Sequence, residues 1–213
     1  MIKKTLLATS LLVASFAAQA QSIEDGTNII GLGVRLGIYN LQITYKPSPP
    51  APSSTNKGQT GSLIYPISYE RGINDHITVG GQFRYNSFIL AKDTSAQQIN
   101  VAYDIDACVN GAYHFVRSEH TDIYLQAMVG FAYLKIANTN VQYQGVISAG
   151  GITYGLELGA RFYIGDHFGI QINFAYSGYE YPSGNEAALG GYSEAVSLFF
   201  TGSTYGAGLC YKF

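Results

Sequence analysis

Tryptophan is absent from these 213 residues, and charge is scarce. Asp, Glu, Lys and Arg make up 12%, against about 25% in a typical soluble domain, which is too little to cover a solvated surface. The 12 basic side chains are spread thinly and the net charge is -2, so nothing marks a nucleic-acid binder or a partner for an acidic surface. Beyond the N-terminus no stretch reaches 18 uninterrupted apolar residues, which excludes membrane helices. Tyr (18), Phe (11) and Gly (25) fill the space that charge leaves.

The N-terminus predicts export. Met1-Ile2-Lys3-Lys4 is a basic start, and residues 5–17 form a largely apolar run too short for a bilayer, which needs ~20 residues. Ala18 and Ala20 then supply small side chains at the positions a signal peptidase reads. The expectation is a signal peptide over 1–20 and one domain over 21–213.

Along that domain the dominant signal is alternation. Ile30, Leu32, Val34, Leu36 and Ile38 fall on one face of an extended chain, with Gly31, Gly33, Arg35 and Gly37 on the other. The pattern recurs over 63–69, 77–85, 103–113, 123–133, 154–164, 170–176 and 205–213, and no charged residue sits on any of the eight apolar faces. The connections alternate too. Those at 72–76, 116–121 and 165–167 are short and carry Gly, Asn and Asp, which suit tight turns; those at 40–61, 87–100, 137–150 and 182–194 are long.

Short turns alternating with long loops fit an all-β, eight-stranded antiparallel up-and-down transmembrane β-barrel. A soluble eight-stranded barrel would need Lys, Glu, Thr and Asn on its outer face. Here the polar face is mainly Gly, Ala and Ser with sparse charges, a composition for a crowded lumen. Tyrosines near the strand ends suit the headgroup level. An even strand count puts both termini on the periplasmic side and the long loops outside.

Residues 68–76 (Ser-Tyr-Glu-Arg-Gly-Ile-Asn-Asp-His) running into Val79-Gly80-Gly81, the Ala-Gln-Ala signal and the last strand resemble the small outer-membrane β-barrel family, the OmpX-like and OmpA-transmembrane-like proteins. That resemblance implies residence in the outer membrane of a Gram-negative-type bacterium, among membrane lipids and lipopolysaccharide. It also implies that Tyr205, Leu209, Tyr211 and Phe213 form the signal read by the barrel-assembly machinery. The peptidoglycan-binding domain that often follows in OmpA-like proteins is not carried over, since the chain stops at Phe213. Pro66 departs from the pattern, because a closed barrel has no edge on which to hide a missing N–H; a bulge is the expected answer.

An enzyme is the sharpest alternative, since some eight-stranded barrels modify lipid A with a His near the outer leaflet. Here His76, His120 and His167 fall in the short turns and His114 ends the fourth strand, all at the other end and readable as polar turn residues. The expectation is therefore no catalytic residue, no metal site and no cofactor. Gly31-Leu32-Gly33 has no helix after it, so it is no nucleotide loop.

So few strands leave room inside only for side chains, and by parity Arg35, Arg84, Asp104, Asp106, Glu157 and Arg161 point into that space. They should pair into a plug, Arg84 with Asp104 or Asp106, and Glu157 with Arg35 or Arg161. Cys108 and Cys210 also point inward but from opposite walls, too far apart for a disulfide. Function then falls to the loops. Residues 46–54 are proline-rich, and Tyr179, Tyr181 and Tyr192 give the fourth loop a binding-surface composition. The reading is a monomeric structural or surface-interaction barrel with an unknown extracellular ligand and no nucleic-acid partner; a small gated channel is the alternative.

Overall fold

A computed structural model describes residues 23–46, 52–89, 99–138, 145–188 and 193–213. The expected signal peptide, its Ala18 and Ala20, and Tyr192 lie outside the described residues. Eight strands run β1 Asn28–Lys46, β2 Ser54–Asn74, β3 Ile77–Ile89, β4 Ile99–Arg117, β5 Thr121–Asn138, β6 Gly145–Ile164, β7 Phe168–Ala188 and β8 Ser193–Lys212. Each pairs antiparallel with its sequence neighbours, and β8 closes on β1.

Short turns close one end. Asn74 Oδ1 accepts from the His76 and Ile77 N–H groups at 2.8 and 3.0 Å, Ser118 and Thr121 exchange backbone bonds, and Gly165 adopts a positive φ of 69° that other residues resist.

The long loops of the sequence reading need correction. Most of 40–61, 137–150 and 182–194 is strand: β1 continues to Lys46, β2 begins at Ser54, β6 begins at Gly145 and β7 continues to Ala188. Strands of 13 to 21 residues exceed the ~9–11 that cross a bilayer, so the barrel emerges well beyond the membrane.

Its polarity inverts as it emerges. On β1 the outward residues Val34, Leu36 and Ile38 are exposed and apolar, whereas Asn40 and Gln42 are exposed and polar. The inward series runs the other way, from buried Arg35 to buried Tyr39 and Leu41. On β7 outward Tyr176 gives way to Glu180 while inward Asn173 gives way to Tyr179 and Tyr181; on β8 the inward face changes to buried Phe200 and Leu198, while the outward face keeps one apolar residue, Phe199, beside Gln42 and Glu180. Lipid requires the first arrangement and water the second. Outward-facing Tyr65, Tyr85, Tyr103, Tyr133, Tyr154, Tyr176 and Tyr205, one on each of β2 to β8, border the apolar band. Ten residues separate Tyr103 from Tyr113 on β4; at ~3.3 Å each and a tilt of ~40° this spans roughly 25 Å, the height of an outer-membrane apolar band.

Pro66 is accommodated without the expected bulge. It pairs in regular register with Arg84 on β3. On the other side the β1–β2 ladder stops at Leu32↔Ile67 and resumes, unshifted, at Arg35↔Ile64. The missing N–H thus interrupts the ladder locally. The register shifts lie elsewhere, at Gly72/Asn74, Ile99/Val101, His114/Val116, Gly150/Ile152 and Tyr181/Gly184.

Candidate functional site: a filled lumen

Three layers fill the barrel. At the short-turn mouth Ile23, Ile29, Tyr163 and Cys210 form a buried apolar cluster. Ile23 reaches it because Gly26, at φ 86°, turns the N-terminal segment across the mouth and donates its N–H to the Gly72 carbonyl at 3.1 Å.

Above it lies a closed ring of polar side chains from five consecutive strands. Arg161 pairs through Nη2 with Glu70 and through Nη1 with Asp122 at 3.2 Å. Asp122 Oδ1 lies 2.7 Å from His114 Nδ1, and His114 Nε2 lies 3.0 Å from Thr78 Oγ1. The Thr78 hydroxyl donates to Glu70 Oε2 at 3.1 Å, completing the circuit. The Arg161 guanidinium also lies over the Tyr124 ring at 4.2 Å, a favourable cation–π position.

Next come two ion pairs. Arg35 Nη1 reaches Glu157 Oε2 at 2.7 Å from β1 to β6, across the lumen, and Tyr124 donates to the same carboxylate at 3.1 Å. Gly159 makes room for that tyrosine: a Cβ there would stand 2.1 Å from its ring. Arg84 Nε pairs with Asp106 at 2.7 Å, and its Nη2 donates to Thr153 across the lumen at 2.9 Å. Asn86 bridges Asp104 and Asp106 at 2.8 and 3.1 Å. All six arginines and carboxylates singled out in the sequence are therefore buried inside, with Arg84 beside Asp106 and Glu157 on Arg35; Arg161 turns instead to Glu70 and Asp122.

The third layer is apolar and belongs to the emergent half. Phe88 stacks on Phe200 at 5.1 Å, and Tyr39 meets Tyr179 edge-on at 5.7 Å. Ile64, Leu134, Val196 and Leu198 pack around them. Tyr179 and Tyr181 are thus not loop residues on a binding surface. Both are fully buried in β7, and Tyr181 donates to Asp104 at 2.6 Å while Tyr179 donates to Asp106 at 3.4 Å, tying the apolar layer to the charged one.

Four members of the ring, Glu70, Thr78, His114 and Asp122, lie outside the set that the sequence singles out. Glu70 was visible on the polar face, two residues after Ser68, and Asp122 has the parity of inward Gln126, but both sit beside turns. His114, at the end of the fourth strand, is fully buried and is no polar turn residue. His76 and His167 do border the turns, the first stacked on Tyr113 at 5.8 Å and the second bonded through Nδ1 to the Lys212 carbonyl at 2.8 Å.

Thr78, His114 and Asp122 have the connectivity of a hydroxyl–imidazole–carboxylate triad. Catalysis would need a free hydroxyl, and the Thr78 proton is committed to Glu70 in a site sealed at 0% exposure. Among the described residues no cluster of His, Cys, Asp or Glu is placed to hold a metal ion. Cys108 and Cys210 are both free and buried. Tyr205, Leu209 and Phe213 lie exposed on the outer wall of β8 and its end, with Tyr211 half-buried beside Phe213.

Comparison with known proteins gives the same architecture. The family described as the outer membrane protein beta-barrel domain matches residues 6–213. The fold is similar to that of the outer membrane protein OprG from Pseudomonas aeruginosa, at a TM-score of 0.60 and 13% identity, covering 91% of this chain and 99% of that one. It is also similar to the outer membrane protease OmpT from Escherichia coli, at 0.50 and 7%, covering 93% and 100%. Ail, the attachment invasion locus protein of Yersinia pestis, matches at 0.38 and 16%, covering 85% and 99%. For OprG and OmpT, at these identities, the likeness is one of fold. No curated protein matches the chain in sequence.

Proposed function

Since the chain belongs to the outer membrane protein beta-barrel domain family and so to the outer membrane of Gram-negative bacteria, we propose that it is a closed, non-catalytic barrel that holds a rigid surface module outside the cell. The observation that carries this is the polarity inversion. A barrel whose emergent half is greasy inside and largely polar outside is built as a small water-exposed domain on a membrane-embedded foot. The long hairpins face the exterior, both termini face the periplasm, and the lipid-facing wall contacts membrane lipids and lipopolysaccharide. The barrel acts as a monomer, its extracellular ligand being read by the emergent strands and their tips. Tyr205, Leu209, Tyr211 and Phe213 serve the barrel-assembly machinery, and residues 1–20 are removed on export.

The ion pairs and the apolar layer act as two stoppers in series. The second reading, a small gated channel, draws on one observation: Gln82 Oε1, both side-chain polar atoms of Asn110, Gln126 Nε2 and Asn173 Nδ2 are buried with no partner, a polar stretch on the short-turn side of the Arg84–Asp106 pair that water would satisfy.

Single-channel recording of the refolded protein separates the readings. The closed barrel should give a flat trace, and steady stepwise conductance would replace it with the channel. Orientation is tested on whole cells with a membrane-impermeant maleimide. Lys57→Cys should label at once, and Asp166→Cys only after the outer membrane is opened; the reverse order would turn the barrel over.

A further inference from the structure

We infer that the ring at the short-turn end is a proton-binding site, with His114 holding both ring protons in the folded barrel. Two independent observations require it. The first is hydrogen count. A hydroxyl has one proton, and the Thr78 hydroxyl gives its proton to Glu70. The contact with His114 Nε2 at 3.0 Å must then be donated by the imidazole. On its other side Nδ1 faces a carboxylate that already accepts from Arg161, and a carboxylate only accepts. Both ring nitrogens are therefore donors.

The second is charge. The groups facing His114 are Glu70 on β2, Thr78 on β3, Asp122 and Tyr124 on β5, and Arg161 on β6. Above them the Arg35–Glu157 pair is neutral by itself. Two carboxylates and one guanidinium leave one negative charge over, in a site where every member is nearly or fully buried. An imidazolium cancels it. Buried charge is tolerated only when paired, so geometry and charge balance ask for the same proton.

The proton acts as a pin. While it is present, five contiguous strands, β2 to β6, are stitched together across the lumen. When it leaves, Thr78 must turn from Glu70 towards the bare Nε2, and the circuit opens at the Thr78–Glu70 contact. This inference rests on the lumen geometry and is independent of what the surface half binds.

The test uses full-length barrel refolded in lipid, carrying His76→Asn, His120→Asn and His167→Asn so that His114 is the sole histidine. Its ring nitrogens are read by ¹⁵N NMR at about pH 8, where a free imidazole with a pKa of about 6.5 is neutral. Two protonated nitrogens are expected, and one bare nitrogen would overturn the inference. Adding Glu70→Gln removes one negative charge and frees the Thr78 hydroxyl, so the spectrum should change to a neutral ring. A ring that stays doubly protonated there would equally overturn the coupling. Should the triple variant fail to fold, the ¹⁵N spectrum of the wild type is compared with that of His114→Gln at the same pH, so that their difference gives the His114 signals. Two protonated nitrogens in that difference are expected; one bare nitrogen would refute the pin.

Discussion

The membrane-embedded half of this barrel and its emergent half share strands, phase and hydrogen-bond ladders, yet they are stabilised in opposite ways. In the lower half, lipid covers Leu36, Val109 and Phe131 on the outside, and the lumen is filled by Arg35, Arg84, Arg161 and their carboxylates. In the upper half, water covers Asn40, Gln42 and Glu180, and the lumen is filled by Tyr39, Phe88, Phe200 and Leu198. Backbone ladders satisfy the wall in both. What differs is where apolar surface is removed from contact with polar surroundings: against lipid below, against itself above. Charges can fill the lower lumen because their partners are held across it at fixed distances. The upper half needs no such pairing, since an apolar core is stable beside water.

The comparison breaks first at Arg161, where the largest loss is expected. Arg161→Ala leaves Glu70 and Asp122 buried with one counter-charge fewer. Breaking a buried pair costs about 3–5 kcal/mol, and because two carboxylates each lose a contact to Arg161 this variant belongs at the upper end. Denaturant unfolding in lipid vesicles measures it. A loss under 1 kcal/mol would mean the ring is hydrated and contributes little.

Glu157→Ala orphans Arg35 and should lose a comparable but smaller amount, partly recovered in Arg35→Ala/Glu157→Ala, since the pair is removed together. It should not conduct, because the apolar layer still closes the upper lumen. Phe200→Ala, about 3–5 kcal/mol for a buried aromatic, should likewise stay closed, because the ion pairs remain. Only Glu157→Ala combined with Phe200→Ala should open a path. Conductance from Glu157→Ala alone would show that the two halves are not separate stoppers.

Much of the wall could be read from the sequence, and most of the upper lumen could not. Parity placed Arg35, Arg84, Asp104, Asp106, Glu157 and Arg161 because each stands among apolar neighbours that set the phase. Beyond Ile38 the phase is unbroken, but the polarity of the two faces exchanges. Asn40 and Gln42 then look like a loop, and Tyr39 and Leu41 lose the meaning their parity gives them. Tyr179 and Tyr181 were misplaced for the same reason: flanking Glu180 and Pro182 read as solvent-exposed chain. The polar ring was hidden differently. Its members span β2 to β6, and only the shear of the closed barrel brings Glu70 to Arg161, 91 residues apart.

Where the two halves meet, Tyr181→Phe removes one hydroxyl and leaves the ring packing in place. Asp104 keeps Asn86 as a partner at 2.8 Å but loses the 2.6 Å bond from Tyr181. A buried acceptor deprived of one donor costs about 1–3 kcal/mol, and this one retains another, so about 1 kcal/mol is expected from unfolding curves. A change near zero would mean that the tie between the layers contributes no stability.

The smallest effects should trace the boundary itself. Ile38 and Asn40 are successive outward residues of β1, the last apolar one and the first polar one. An arginine facing lipid costs about 2–4 kcal/mol at the bilayer midplane but only about 0–1 near the interface, because its long stem lets the charge reach the headgroups. Ile38→Arg should therefore lose at most about 1 kcal/mol, and Gln42→Arg, already in water, should stay within about 0.5 kcal/mol of wild type. Unfolding of the two variants side by side in lipid measures the step. If Gln42→Arg were the costlier of the pair, lipid would reach above Asn40, and the emergent half would begin higher on the barrel than the inversion of its side chains implies.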